Sequence, residues 1–382
     1  MNNRRYLGSN SFIPHIKTIL AAVLLLVLGF SGCSDYRGLD EISIVAGISV
    51  DISEENPDLL HVGFEIIRPP SGEEGAMGSV LAEAEGLTIK EAIQNANKLL
   101  YRDLYFGNTN LIVISEEIAQ EKGIASILNG LLRDFNSRDT MQMIICREAA
   151  AKKLITPSEE SDMVFSYELS KSLDRQELRS NSAKALGLFE IHNAMNSGSK
   201  CYAMPAFRFN EELEEPQPQI DGMAVFEGEK LKGYIEDEQA QYYMFASEKL
   251  AGGSFTMGSG KSLITQSIQK SKPKLSHSFE DGRLTLNIAV EVKSSISEAG
   301  AAAALNSASL AELEAKSAKE LAGHIKSLAE QSRKATGADI WGFGTELAQT
   351  DPKLWKQINA NWQKYYNQAV FNVEVRVSIL NA

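Results

Sequence analysis

The chain has 382 residues, 43% of them hydrophobic, and a formal net charge of −12. That length and apolar content suit two or three folded domains and exclude a largely disordered chain, because aromatic and β-branched residues recur throughout. Residues 1–32 hold Arg4, Arg5 and Lys17 and no acid, so the remainder carries 35 bases against 50 acids. A surface of that sign repels nucleic acid, and no block of Lys and Arg offers a phosphate-binding patch.

The chain opens with the three parts of a secretory signal: the basic residues just named, an apolar run over residues 19–30, then small Ser31 and Gly32. The run is shorter than the ~20 residues a membrane helix needs. No later segment comes close, so the mature chain is expected not to span a bilayer. Phe30-Ser31-Gly32-Cys33 resembles the lipobox of bacterial lipoproteins, with Phe30 where Leu is usual. The resemblance implies cleavage between Gly32 and Cys33, a diacylglyceryl group on the Cys33 thiol, and acylation of the freed amine. One acyl chain holds a protein only marginally, at ~0.8 kcal/mol per buried CH₂, whereas two or more anchor it. Cys146 lies in the apolar run "MQMIIC" and reads as a buried small hydrophobe. Two unpaired thiols, Cys146 and Cys201, are favoured over a disulfide, which an extracytoplasmic setting would permit.

Residues 41–53 and 59–70 read as two strands joined by the turn Asn56-Pro57-Asp58, the second halted by Pro69 and Pro70. Residues 71–86, small and polar, read as a flexible loop. Residues 88–105 carry Ile89, Ala92, Ile93, Ala96, Leu99 and Leu100 at helical spacing, with Thr88 as N-cap and Glu91 three residues on. A buried strand over 110–115, helices within 116–137 that carry Ile127, Leu131 and Leu132, a strand over 140–146 and a short helix over 147–156 follow. Residues 219–249 read as two strands about the turn Glu227-Gly228-Glu229-Lys230, then an acidic helix. Residues 250–262 read as a Gly- and Ser-rich joint.

Leu284, Leu286, Ile288, Val290 and Val292 alternate along a strand. A long helix covers 307–333, with Leu310, Leu313, Leu321, Ile325 and Leu328 as its buried stripe. Another helix starts at Asp351-Pro352 and carries Trp355, Ile358, Trp362 and Tyr365. The last alternation, Phe371, Val373, Val375, Val377 and Ile379, predicts a half-exposed antiparallel strand.

Catalytic patterns are missing. Gly260-Lys261-Ser262 has Phe255 where a phosphate loop needs glycine. The histidines beyond the signal (His61, His192, His277 and His324) are too far apart to form a ligand pair, and no cysteine spacing suggests a metal. Ser267 and Lys270 fit an SxxK spacing without its companion motifs, and there is no GxSxG elbow. Trp355 and Trp362, seven apart, read as core before ligand pocket. No catalytic residue, cofactor or metal is expected; the pattern favours binding or assembly over enzymatic work.

In order along the chain, "CSDYRGLDEISIVAGISVD", "KEAIQNANKLLYRDLYFGNTNLIVISEEIA", "DGMAVFEGEKLKGYI", "GADIWGFG" and "WKQINANWQKYY" resemble the Ger(x)C family of spore germination lipoproteins. Ser34 stands where the family has Trp, and Asn108 where it commonly has His. The resemblance implies a three-domain α+β lipoprotein on the outer face of the inner spore membrane. It implies the C subunit of a nutrient germinant receptor, working with A and B type subunits to trigger germination. It supplies no catalytic residue and leaves open whether this subunit touches the nutrient. The expected fold is α+β, with mixed α/β domains and largely antiparallel sheets. The expected division is a signal over 1–32, an N-terminal domain over 33–200, a small middle domain over 201–255 and a C-terminal domain over 256–382. The other reading is a solute-binding lipoprotein of a transporter, which calls for two doubly wound lobes about a cleft.

Overall fold

The computed structural model describes residue 38 and residues 41–70, 77–133, 140–157, 162–179, 182–211, 216–258, 263–299 and 307–380. Gly32, Cys33 and the rest of the lipobox, and Gly260-Lys261-Ser262, lie outside the described residues. The chain divides into Met1–Ile42 and a compact unit, Ser43–Ala382, whose architecture follows.

The strands are β1 (Ile42–Ile52), β2 (Leu60–Arg68), β3 (Gly78–Gly86), β4 (Asp103–Tyr105), β5 (Leu111–Ser115), β6 (Gln142–Cys146), β7 (Leu186–Gly187), β8 (Cys201–Asn210), β9 (Gln217–Glu227), β10 (Lys230–Ile235), β11 (Ser254–Met257), β12 (Ile264–Glu280), β13 (Arg283–Ala299) and β14 (Val370–Ile379). The helices are α1 (Ile89–Leu99), α2 (Ala125–Leu132), α3 (Phe165–Arg179), α4 (Leu188–Met195), α5 (Asp237–Ser247), α6 (Ser307–Thr336), α7 (Phe343–Thr350), α8 (Pro352–Ile358) and α9 (Trp362–Gln368). Short π and 3₁₀ turns cover Ile118–Lys122, Ala151–Leu154 and Asn359–Asn361.

Ten strands form one sheet in the order β10-β9-β8-β6-β5-β1-β2-β3, with β4 on β1 and β7 on β6. Its centre is parallel (β1, β5, β6, β8) and its flanks antiparallel. The central strands are buried on both faces, which is why 111–115 reads as an unbroken apolar run. The β1–β2 hairpin forms as expected: Asn56 Oδ1 accepts from the Asp58 N–H at 3.1 Å, and Ile52 pairs with Leu60. Thr88 caps α1, accepting from the Glu91 N–H at 3.2 Å, while the Glu91 carboxylate accepts from the Leu87 N–H at 2.9 Å. Within the stretch expected to be a loop, residues 78–86 are instead strand β3, paired along its whole length with β2. Small polar residues are poor strand formers, but the open edge of β2 supplies a ladder, and tertiary pairing overrides propensity.

The second sheet has the order β11-β12-β13-β14. β11 lies inside the stretch expected to be a joint, again because a neighbouring edge recruits it. β13 buries Leu284, Leu286, Ile288, Val290 and Val292 as read. The closing strand alternates as expected but runs parallel to β13, not antiparallel. Alternation has period two in either direction, so it cannot show polarity. The crossover through α6–α9 returns the chain to the end where β13 began. The single helix expected from Pro352 is broken into α8 and α9 by the turn Asn359–Asn361. Trp355 and Trp362 meet edge to face across it, with ring centroids 5.4 Å apart.

Alternate residues of the central strands feed two cores. Ile112 and Ile114 pack with α1 and α2 on one face. Leu111 and Val113 belong to a cluster that continues through α5 into the second sheet and the helices of the C-terminal half. The two sheets therefore share one core, and the overall class is mixed α/β.

Candidate functional site

Ligands of open sheets with parallel strands gather outside the carboxyl ends of those strands. Here that edge joins Asp51 of β1, Ser115 at the end of β5 with Glu116 just beyond it, and Glu148 after β6, around a hollow of about 580 Å³. Glu54, Glu55, Glu85 and Glu117 add carboxylates, and His61, Gln120 and Lys152 add the donors. Asp51 is buried and accepts the N–H groups of Ala151 at 2.6 Å and Lys152 at 3.0 Å, capping the 3₁₀ turn. Burial raises its pKa, and those two hydrogen bonds oppose the rise. Burial also pushes on Glu83, but hydrogen bonds from His61 (2.7 Å) and Lys152 (3.2 Å) prevail and hold its carboxyl below the usual value. The hollow thus offers mainly hydrogen-bond acceptors; the Ser115 hydroxyl accepts from the Ile118 N–H at 3.3 Å. Among the described residues no group of three or more His, Cys, Asp or Glu is placed to hold a metal ion.

Beside it, Arg147 joins β6 to β9 and β10. Its guanidinium donates to Asp221 at 2.9 Å and Glu236 at 3.0 Å and lies 4.2 Å from the Tyr234 ring centre. These partners outweigh burial and raise its pKa. Arg208 also pairs with Asp221, at 3.2 Å. This explains the Asp-Gly opening of "DGMAVFEGEKLKGYI". Asp221 ties β9 to Arg147, and Gly222 has φ +75° with its backbone against the Ile235 carbonyl, where a Cβ would sit 2.1 Å from the oxygen.

A second hollow, about 650 Å³, lies where α4, β8, α5 and α7 converge, with Tyr243, Trp341 and Cys201 in its wall. The motif "GADIWGFG" builds this junction. Asp339 is 2% exposed and caps α7, accepting from the N–H groups of Phe343 (2.9 Å) and Gly344 (2.7 Å). Burial pushes its carboxyl up to about 6 against those hydrogen bonds. Trp341 donates to the Tyr243 carbonyl at 3.3 Å. Gly344 packs so tightly that a Cβ would lie 3.1 Å from Ser199 Cα and 3.2 Å from both Trp355 and Trp362. The two tryptophans are half-buried against the core and border a shallow surface hollow.

The other residues singled out from sequence serve structure. Cys146 and Cys201 are free and buried. Burial, with Asp51 near one and Asp339 near the other, pushes both thiols up to about 12. His277 pairs with Glu346 at 2.9 Å, and His324 stacks on Tyr242 at 4.4 Å. Ser267 bonds Ser297 across the β12–β13 ladder, and Lys270 is exposed. Asn108 accepts through its carbonyl from the Tyr167 hydroxyl at 3.3 Å. Sequence reasoning missed Asp51, Glu65, Asp221 and Asp339. Each is an acid within or beside an apolar run, the one local signal that such a buried cap or tie leaves.

The fold is that of a mixed α/β body whose motif residues serve as caps, ties and close-packed glycines. Residues 35–209 match the family model described as "Spore germination protein N-terminal domain", and residues 221–382 match "Spore germination B3/ GerAC like, C-terminal". The two matches follow one another over most of the chain, and the chain belongs to this family of spore germination proteins, as its residues led us to expect. Spore germination protein KC of Bacillus subtilis (strain 168) is 26% identical over 92% of each chain. Spore germination protein B3 of the same organism is 20% identical over 94% of this chain and 96% of its own. Spore germination protein A3 is 21% identical over 95% of this chain and 97% of its own. The crystal structure of the GerBC protein has the same fold, with a TM-score of 0.58 at 18% identity, covering 91% of this chain and 100% of that one.

Proposed function

We propose that this chain is the lipid-anchored C subunit of a spore nutrient germinant receptor. It assembles with A and B type subunits on the outer face of the inner spore membrane and acts through protein contacts, without catalysis. The observation that carries the reading is the ordered match of both family models across residues 35–209 and 221–382. The lipobox supports the anchor, with cleavage before Cys33 and acyl chains on its thiol and amine. Among the described residues no helix is long and apolar enough to cross a membrane; under this reading the hold is lipid, and the body is the family's three-domain lipoprotein. Mass spectrometry of membrane-extracted protein is expected to find Cys33 diacylated at the new N-terminus; an uncleaved or unmodified chain refutes the anchor. Deletion of the gene, together with any paralogous receptor genes, is expected to slow germination on at least one nutrient. Co-purification from spore membranes tests assembly, and the absence of both multispanning subunits from the eluate counts against it.

A further inference from the structure

The two ends of β1 differ in chemistry. Its carboxyl end carries the acidic hollow. Its beginning gathers exposed apolar and basic side chains. β2 occupies one edge of β1 from Val45 onward and β5 the other over Gly47–Val50. The turn that follows β4 is tied to Val45, whose carbonyl accepts from the Thr109 hydroxyl at 2.9 Å. β4 therefore pairs with the first residues of β1. α1 ends at the same place, with Leu99 75% exposed and Tyr101 fully exposed, and Tyr105 is partly exposed. Arg68 of β2 pairs with Gly78 of β3 beyond the Val45–Ile66 pair, which puts half-exposed Met77 at this end as well. Arg68, Lys98 and Arg102 are all exposed here, with Asp103 and Glu41, the residue just before β1, as the neighbouring acids.

We infer that this end of the body rests on the lipid surface, Leu99, Tyr101, Tyr105 and Met77 entering the headgroup layer and Arg68, Lys98 and Arg102 meeting anionic headgroups. The acidic hollow then faces away from the membrane. The inference rests on the reading that Cys33 carries lipid. Cys33 precedes Ile42 by nine residues, a tether of at most ~30 Å, so the end where β1 starts is the end kept near the bilayer. The chemistry agrees with the tether. Tyrosine rings settle at the headgroup level, apolar side chains flanked by bases bind the interface, and each base near an anionic leaflet is attracted to it. The body as a whole is acidic and is repelled, so contact is favoured only where bases and apolar groups coincide. The rim of Glu54, Glu55, Glu116 and Glu117 at the far end cannot serve.

The test uses full-length lipidated protein in vesicles of equal phosphatidylethanolamine and phosphatidylglycerol. An environment-sensitive fluorophore is attached at Tyr101→Cys or, as reference, at Glu55→Cys in the turn beyond the far end of β1; Cys146 and Cys201 are buried and stay unlabelled. Brominated lipid is expected to quench the Tyr101 label roughly twofold or more and to leave the Glu55 label unchanged. Lys98→Glu with Arg102→Glu is expected to reduce that quenching. Protein that floats with the vesicles while its Tyr101 label stays in water overturns the inference. Shielding of that label only when an integral membrane partner is added also overturns it and makes the patch a protein-docking face. Protein that does not float refutes the lipid anchor and this inference with it, and flotation alone separates that failure from the others.

Discussion

Replacing Glu65 with alanine is expected to loosen α3 and to destabilise the body by ~3–5 kcal/mol. Glu65 sits on β2 with no solvent exposure. Its carboxylate accepts the N–H groups of Phe165 at 2.7 Å and Ser166 at 2.9 Å, the first two residues of α3, together with the hydroxyls of Ser166 and of Ser79 at 2.8 Å. The residue before α3 is Val164, which has no capping oxygen, so the cap comes from a strand about a hundred residues earlier in the chain. A negative group at this position also meets the positive end of the helix dipole. Alanine strands the two backbone donors in a dry site, at ~1–3 kcal/mol each, and opens a cavity. The hydroxyls can turn elsewhere; that of Ser79 already reaches the Met163 carbonyl at 3.2 Å. Glutamine keeps one acceptor but places an amide NH₂ among donors, so about half the loss is expected. Urea unfolding gives the size of the effect, and hydrogen exchange localises it to the first turns of α3. A loss below ~1 kcal/mol with unchanged exchange over residues 165–170 would refute the assigned cap.

Further expectations follow from the same geometry. Gly222→Ala forces a side chain into a left-handed backbone (φ +75°) and against the Ile235 carbonyl; a loss of ~2–4 kcal/mol in chemical denaturation is expected, and a neutral variant would contradict the close approach. Asp339 titrates at about 6 in the fold against an ordinary value of 3.8. Between those values the native state holds the proton that the unfolded chain has released, so this group makes stability fall as pH rises from about 4 to about 6. Asp339→Asn should flatten that slope while weakening the cap on α7, and an unchanged slope in pH-dependent unfolding would count against it. Cys146 and Cys201, buried with thiols pushed up to about 12, should not react with an aromatic disulfide reagent at neutral pH in a Cys33→Ser chain until denaturant is added. Fast reaction of either thiol in the native state would overturn that assignment.

Much of the fold was legible in short windows. Thr88 and Glu91 marked the start of α1 because a cap and its reciprocal acceptor lie within three residues of each other. The β1–β2 hairpin was legible from Asn56 and the flanking apolar runs, and β13 and β14 from their alternation. What failed was whatever depends on a distant partner. β3 and β11 look like loops until the edges of β2 and β12 are present. The cap on α3 comes from Glu65, and the ties of Arg147 cross three strands.

The sequence by itself determined the period of each long element and the ordered motifs that mark the family. These depend on neighbours within a few residues, where sterics and local hydrogen bonding act. Tertiary structure alone decided that β14 runs parallel to β13, that alternate residues of β5 feed two different cores, and that motif residues such as Asp339 and Gly344 serve as a cap and a close contact. It also separated an acidic end of β1 from an apolar and basic one. A chain's periodicity says which side of a strand is buried, but direction, partner and the placement of charge in space follow only when segments a hundred residues apart compete for the same edge.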